Sequence, residues 1–193
     1  MVNKLLFFSI TVFYLLSCSS NEHDIGDVYS KNFILGYVKA ESIKIGVFTT
    51  DHNLIFSIEG ESFGPNSSLY EYYSKLYNDT SYNNMLIPPS EALIDTIKTI
   101  EVLRIDDEDI VNISETLKLR YFTCDPYIKS GYSKEIAQRE EKSVELTQVD
   151  PNKMVLIRPD YILLEFENGQ FFEYSDYEIK ITMTSGKELT TRF

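Results

Sequence analysis

The chain has no tryptophan, two histidines and two cysteines among 193 residues, and these shortages exclude whole classes of chemistry. So few His and Cys leave little room for a zinc site or a disulfide framework. Basic residues are scarce too. Eighteen Lys and Arg face 30 Asp and Glu, for a net charge of -12 and a sequence pI near 4.6. Affinity for a phosphate backbone comes from clustered Lys and Arg, so no nucleic-acid partner is expected. There is no Gly-rich phosphate loop, heptad or solenoid-length repeat, and nothing calls for a cofactor. The one long apolar run, residues 5–16, would reach about 18 Å as a helix, short of the roughly 30 Å of a bilayer core. What is present is apolar material at 43%, with 14 Tyr and 12 Phe. That suffices for the core of a single domain and is too much for a disordered chain.

The apolar run behind Lys4 has the length and flanking charge of a signal-peptide h-region. It ends on Leu15-Leu16-Ser17-Cys18, which resembles the lipobox of bacterial lipoprotein precursors. The resemblance implies cleavage before Cys18, diacylation of its thiol and acylation of the new amino group. The membrane would then be a partner through Cys18, and each buried methylene adds about 0.8 kcal/mol to the hold. On this reading residues 1–17 are removed, 18–30 form the lipidated Cys and an acidic tether, and 31–193 form one β-rich domain. Loss of Lys4 leaves 176 residues at a net charge of -13. Ser19 follows the Cys where enterobacterial inner-membrane retention would have Asp. Glu22, Asp24 and Asp27 resemble the acidic tether of Bacteroidetes lipoproteins sent to the cell surface, although a plain flexible spacer has the same composition. A bacterial outer-membrane location is expected, facing either the surface or the periplasm. Cys124 is then the remaining unmodified thiol. Its neighbours Tyr121, Phe122 and Thr123 predict burial as a small hydrophobe.

The body is dominated by period-two alternation. Ile43, Ile45 and Val47 precede the turn formers Asp51-His52-Asn53, and Leu54, Phe56 and Ile58 follow, which predicts a hairpin. Residues 33–38 suit a strand leading into it, and 96–105 and 116–123 are β-rich. Residues 161–167, Asn168-Gly169, 170–174, 177–184 and 188–193 predict a meander of about three strands from Tyr161 to Phe193, with Asn-Gly as a type I′ turn. Residues 154–157 form an apolar run stopped by Arg158-Pro159, which suits an edge or a strand end. One amphipathic helix is expected near 68–78, with Ser68 as N-cap, Glu71 at N3 and a sheet-facing stripe of Leu69, Tyr72, Tyr73, Leu76 and Tyr77. Residues 133–146 form a weaker helical pattern, and Pro88-Pro89-Ser90 could start a short turn through Leu93. The fold class is therefore mainly β, an antiparallel β-sandwich or curved sheet, Ig-like in general architecture, carrying one helix.

Two clusters could carry binding. Tyr70, Tyr72, Tyr73, Tyr77 and Tyr82 lie close in sequence, and Tyr70 falls off the stripe; exposed Tyr can stack on sugars or anchor a protein ligand. The same residues would pack a core in a chain without tryptophan. Asp106, Asp107 and Asp109 offer hard oxygen ligands for calcium, but not at EF-hand spacing, and a solvated turn accounts for them equally. Catalysis by Cys124 or Ser/His/Asp would need His23 or His52, one in the tether and one in a turn. Paired carboxylates could serve a hydrolase, though 30 acids always supply some pair. The sequons at Asn66, Asn78 and Asn112 are read as chance.

The lipobox, acidic tether and mainly β body together look like the small lipoproteins of Bacteroidetes. Ser90-Glu91-Ala92-Leu93 leading into residues 97–102, and the 177–193 hairpin, are similar to a family of those lipoproteins with no assigned function. The resemblance implies no functional residue. The expected role is a lipid-anchored, non-enzymatic binding or accessory module. An envelope hydrolase and a strand-exchanging surface subunit are the alternatives.

Overall fold

The computed structural model describes residues 31–48, 53–82, 90–106, 109–133, 141–166 and 176–193. The chain is a two-sheet sandwich. The first sheet contains β1 (Ile34–Phe48), β2 (Leu54–Phe63), β3 (Ser90–Leu93), β6 (Leu117–Thr123), β7 (Glu141–Glu145) and β8 (Ile157–Phe166), in the order β3-β1-β2-β8-β6-β7. The second contains β4 (Ile97–Asp106), β5 (Asp109–Asn112), β9 (Asp176–Met183) and β10 (Glu188–Arg192), in the order β10-β9-β4-β5. Helix α1 (Ser68–Leu76) follows β2, and a short α2 (Asp125–Lys129) follows β6.

Alternation builds the core, as the sequence predicted. Leu117, Leu119 and Tyr121 of β6 turn inward while Lys118, Arg120 and Phe122 stay half-exposed. In β9 the inward set is Tyr177, Ile179, Ile181 and Met183. These meet Phe56, Ile58, Ile162 and Leu164 from the other sheet in one largely aliphatic cluster. On the outer face, the Arg120 guanidinium bonds Glu141 of β7 at 2.6 Å and Glu165 of β8 at 2.9 Å, clamping three strands.

The expected first hairpin is present and larger than expected. The 33–38 segment and the following strand are one strand, β1, paired antiparallel to β2. Its register slips between Ala40 and Ser42, and Gly60 lies opposite. A Cβ on Gly60 would come within 1.9 Å of the Lys39 carbonyl oxygen, so this bulge requires glycine. The turn at residues 49–52 lies outside the described residues.

Four expectations fail. Residues 161–193 are not one meander: β8 pairs with β2 and β6, whereas β9 pairs with β4 and β10. β9 alternates cleanly and β8 is buried at three successive positions, Ile162 to Leu164, but neither pattern says which sheet a strand joins. The intervening Asn168-Gly169 turn and 170–174 strand lie outside the described residues. Residues 90–93 are strand rather than helical turn, pairing parallel to β1. Residues 141–145 are the edge strand β7 rather than helix, because Lys142 and Val144 pair with Tyr121 and Leu119 across β6. Finally, Pro159 interrupts neither strand nor sheet. It sits inside β8 where pairing to β2 has not begun and the β6 register slips between Tyr121 and Thr123, so no ladder bond is lost.

Candidate functional site

Helix α1 caps one residue earlier than predicted. Ser67, not Ser68, is the N-cap, with its Oγ accepting from the Leu69 amide at 3.2 Å. Glu71 therefore leaves the N3 position and lies 4.0 Å from Lys75 instead. The C-terminus closes in a Schellman arrangement. Asn78 takes a left-handed φ of 57°, its amide donates to Lys75, and the Asp79 amide donates to the Ser74 carbonyl at 2.8 Å. Asn78, a sequon asparagine, thus has a backbone reason for its identity.

The helix also presents a different face from the one expected. Tyr70 and Ser74 are buried, with Tyr73 and Tyr77 half-buried beside them. Leu69, Tyr72 and Leu76 are 42%, 58% and 57% exposed. The rotation has a polar cause: the Tyr70 hydroxyl donates to the Ile34 carbonyl at 2.7 Å, an anchor that leucine could not make. Counting apolar positions treats Tyr as grease and misses that bond.

Beneath α1 and α2 lies a second core on the outer face of β1 and β3. Phe33, Ile34, Tyr37, Tyr70, Tyr82, Ala92, Tyr127 and Tyr132 pack with Cys124, which is buried as its neighbours predicted. The rings meet mostly edge to face: Phe33 on Tyr127 at 4.8 Å, Tyr82 on Tyr132 at 5.4 Å and Tyr37 on Tyr70 at 5.5 Å. Tyr70 and Tyr82 are thus core, Tyr73 and Tyr77 line its rim, and Tyr72 alone of the five reaches well into solvent. The structure does not gather the five into a surface patch.

Asp79 organises this core and is fully buried. Its Oδ1 accepts from the Phe33 amide and the Tyr132 hydroxyl, each at 2.7 Å, and its Oδ2 from the Ile34 amide at 2.8 Å. The Asn32 side-chain amide donates to its carbonyl. Burial raises the Asp79 carboxyl above its ordinary value, against the amides of Ile34 and Phe33 and the Tyr132 hydroxyl, which pull it down. Burial likewise raises the Tyr132 phenol, and the neighbouring carboxylate adds to this. Tyr37 is raised mainly by burial, with Ser74 pulling the other way. Neither the Tyr37 hydroxyl nor the Ser74 hydroxyl meets hydrogen-bond geometry with a partner among the described residues. Sequence reasoning missed Asp79 entirely. The available signal was an acid directly after an Asn that ends a tyrosine-rich helix.

Two further features bear on binding. Strand β5 is an edge strand with all four residues exposed, including Ile110 at 65% and Val111 at 40%. Asp106 and Asp109 form the last register pair of the β4–β5 hairpin, and Asp106 accepts from the Arg104 Nε at 2.7 Å. Asp107 lies outside the described residues, and no group of three His, Cys, Asp or Glu gathers around a cation position among those described. A groove of about 400 Å³ contains Glu59, Glu91 and Asp160. Glu59 pairs with Lys44 at 2.9 Å, Glu91 accepts from the Ser62 hydroxyl at 2.9 Å, and Asp160 pairs with Arg158. The Asp79 carboxyl is raised above its usual range, and three donors already occupy it.

No helix of the described residues is long and apolar enough to cross a membrane. No family model matches the chain, and comparison with curated proteins and with solved structures gave no significant match.

Proposed function

We propose that the protein is a lipid-anchored lipoprotein of the bacterial outer membrane, with its sandwich acting as a non-enzymatic binding or accessory module. The observation that carries this reading is Leu15-Leu16-Ser17-Cys18 at the end of the apolar run 5–16. The arrangement of the body is compatible with it. The first strand begins at Ile34, 16 residues beyond Cys18, and the buried Asp79 carboxylate is already occupied by three donors. Mass spectrometry of the native N-terminus tests the anchor. The expected product begins at Cys18 with a thioether-linked diacylglycerol and an acylated amine, and Cys18→Ser should accumulate as uncleaved precursor. A mature chain with an unmodified Cys18 overturns the reading. A glycan and peptide array on the mature chain tests the binding role, and silence on both would count against it.

A second reading, a subunit that accepts a strand at a sheet edge, is favoured by β5. Its outer backbone groups face no described strand, and it carries two exposed aliphatic side chains without Pro or Lys to block pairing. Ile110→Lys should abolish such pairing while leaving the fold intact, read as loss of a co-purifying or crosslinked partner. Retention of that partner would exclude the edge.

A further inference from the structure

The large hydrophobic side chains exposed among the described residues fall into two groups: Ile110 and Val111 on β5, and Leu35, Leu69, Tyr72 and Leu76 around α1. The second group lies beside the first described residues of the chain. Tyr70 of α1 bonds Ile34, Asp79 bonds the amides of Phe33 and Ile34, and the Tyr82 amide donates to the Lys31 carbonyl at 2.9 Å. The helix is therefore fastened to the first described residues of the chain, and the 13 residues back to Cys18 cannot span more than about 45 Å.

We propose that the outer face of α1 is a bilayer-contact surface, on which Leu69, Tyr72 and Leu76 seat in the interface of the membrane that holds Cys18. This rests on the lipid-anchor reading above. Three physical points favour lipid over a protein occupant. A chain already held by acyl groups meets the bilayer at an effective concentration of order millimolar, so a patch of three or four side chains is sufficient. A stable dimer needs about 800 Å² from each partner, more than one face of a nine-residue helix supplies. The composition also suits an interface, with Leu side chains and an amphipathic Tyr flanked by Lys75, which is 77% exposed at its side chain. Charge on the helix does not oppose the approach: Glu71 and Lys75, the charged residues of α1, balance each other.

The absence of tryptophan makes the test clean. The mature acylated chain carrying Tyr72→Trp is reconstituted in vesicles of phosphatidylethanolamine and phosphatidylglycerol, with and without brominated acyl chains. The introduced indole should shift its emission to the blue and lose most of it to the bromines. Adding Leu69→Ser and Leu76→Ser should return the emission to that of water-exposed indole while the protein stays on the vesicle. An acylated, vesicle-bound chain whose indole emits as in water and is not quenched overturns the docking face but leaves the anchor standing. A chain that mass spectrometry shows to be unacylated, and that stays off the vesicles, overturns both. A blue shift that follows protein concentration in the absence of lipid assigns the face to a second copy and overturns the bilayer.

Discussion

The two cores of this protein are stabilised by different physics. Between the sheets, Leu54, Phe56, Val102, Leu119, Ile162, Ile179 and Ile181 pack as largely interchangeable apolar volume, with direction supplied only by strand alternation. At the tyrosine-rich pole beneath α1 and α2, five of the eleven clustered residues are tyrosines, and the bonds that hold it are directional: Tyr70 on Ile34, and the clasp in which Asp79 accepts from Tyr132 and two backbone amides. Burial in the first core is nondirectional, so loss scales with volume. In the second, loss depends on which donor is left unpaired. The lesson is that one sheet can be grease on one face and a hydrogen-bonded cluster on the other. On β1, Tyr37 and Val38 are neighbours in sequence but belong to different cores.

Four measurements sharpen this contrast. The largest effect is expected from Asp79→Ala, which leaves the Phe33 and Ile34 amides and the Tyr132 hydroxyl buried without their acceptor. At about 1–3 kcal/mol for each unsatisfied group, partly relieved by relaxation, the loss should be about 4 kcal/mol in urea denaturation. A loss under about 1 kcal/mol would mean the clasp is not holding the pole. Ile181→Ala in the aliphatic core should cost about 3 kcal/mol. It should leave the pole's local hydrogen exchange unchanged, whereas Asp79→Ala should raise exchange at Phe33 and Ile34 first.

The third measurement is pH dependence. Because the folded Asp79 carboxyl lies above its ordinary value, the stability linked to its protonated form is complete below about pH 4 and is lost as pH rises through the raised value. Asp79→Asn cannot titrate there. The difference in stability between the native protein and the Asn variant should therefore shift against the native protein as pH rises from about 4. A flat difference would contradict the raised carboxyl. The smallest effect is expected at Tyr37 and Ser74. Tyr37→Phe with Ser74→Ala removes two buried hydroxyls that lack good partners and should be neutral or stabilising by up to about 1 kcal/mol. A loss of 2 kcal/mol or more would show that the hydroxyls bond each other or a shared water.

The same contrast explains what could be read from sequence. The aliphatic core announces itself, because Leu117-Lys118-Leu119-Arg120-Tyr121 and residues 177–184 alternate with the period of a half-buried strand. The mainly β class followed from that pattern, with a sandwich and a curved sheet both open. The sheet assignment of β8 did not, since Leu54 pairs with Leu164 through contacts that leave no local trace. The short strands β3 and β7 borrow their conformation from β1 and β6. At the tyrosine pole, residue types were visible but roles were not. Asp79 binds partners 45 to 53 positions away, and a helical wheel cannot tell a Tyr held by its hydroxyl from one held by its ring.

The strand order β3-β1-β2-β8-β6-β7 sets a timetable for folding. A growing chain can close the β1–β2 hairpin and wind α1 early. The free side of β2 must then wait for β8, whose pairing residues are made about 110 positions later. At roughly 5–20 residues per second that delay is on the order of 5–20 seconds, and such non-local closure belongs to the slow, millisecond-to-second class of folders. Tyr132, which completes the Asp79 clasp, also arrives late. The nascent chain therefore passes most of its synthesis without a completed tertiary structure, and a chain in that condition can still be threaded through a narrow pore.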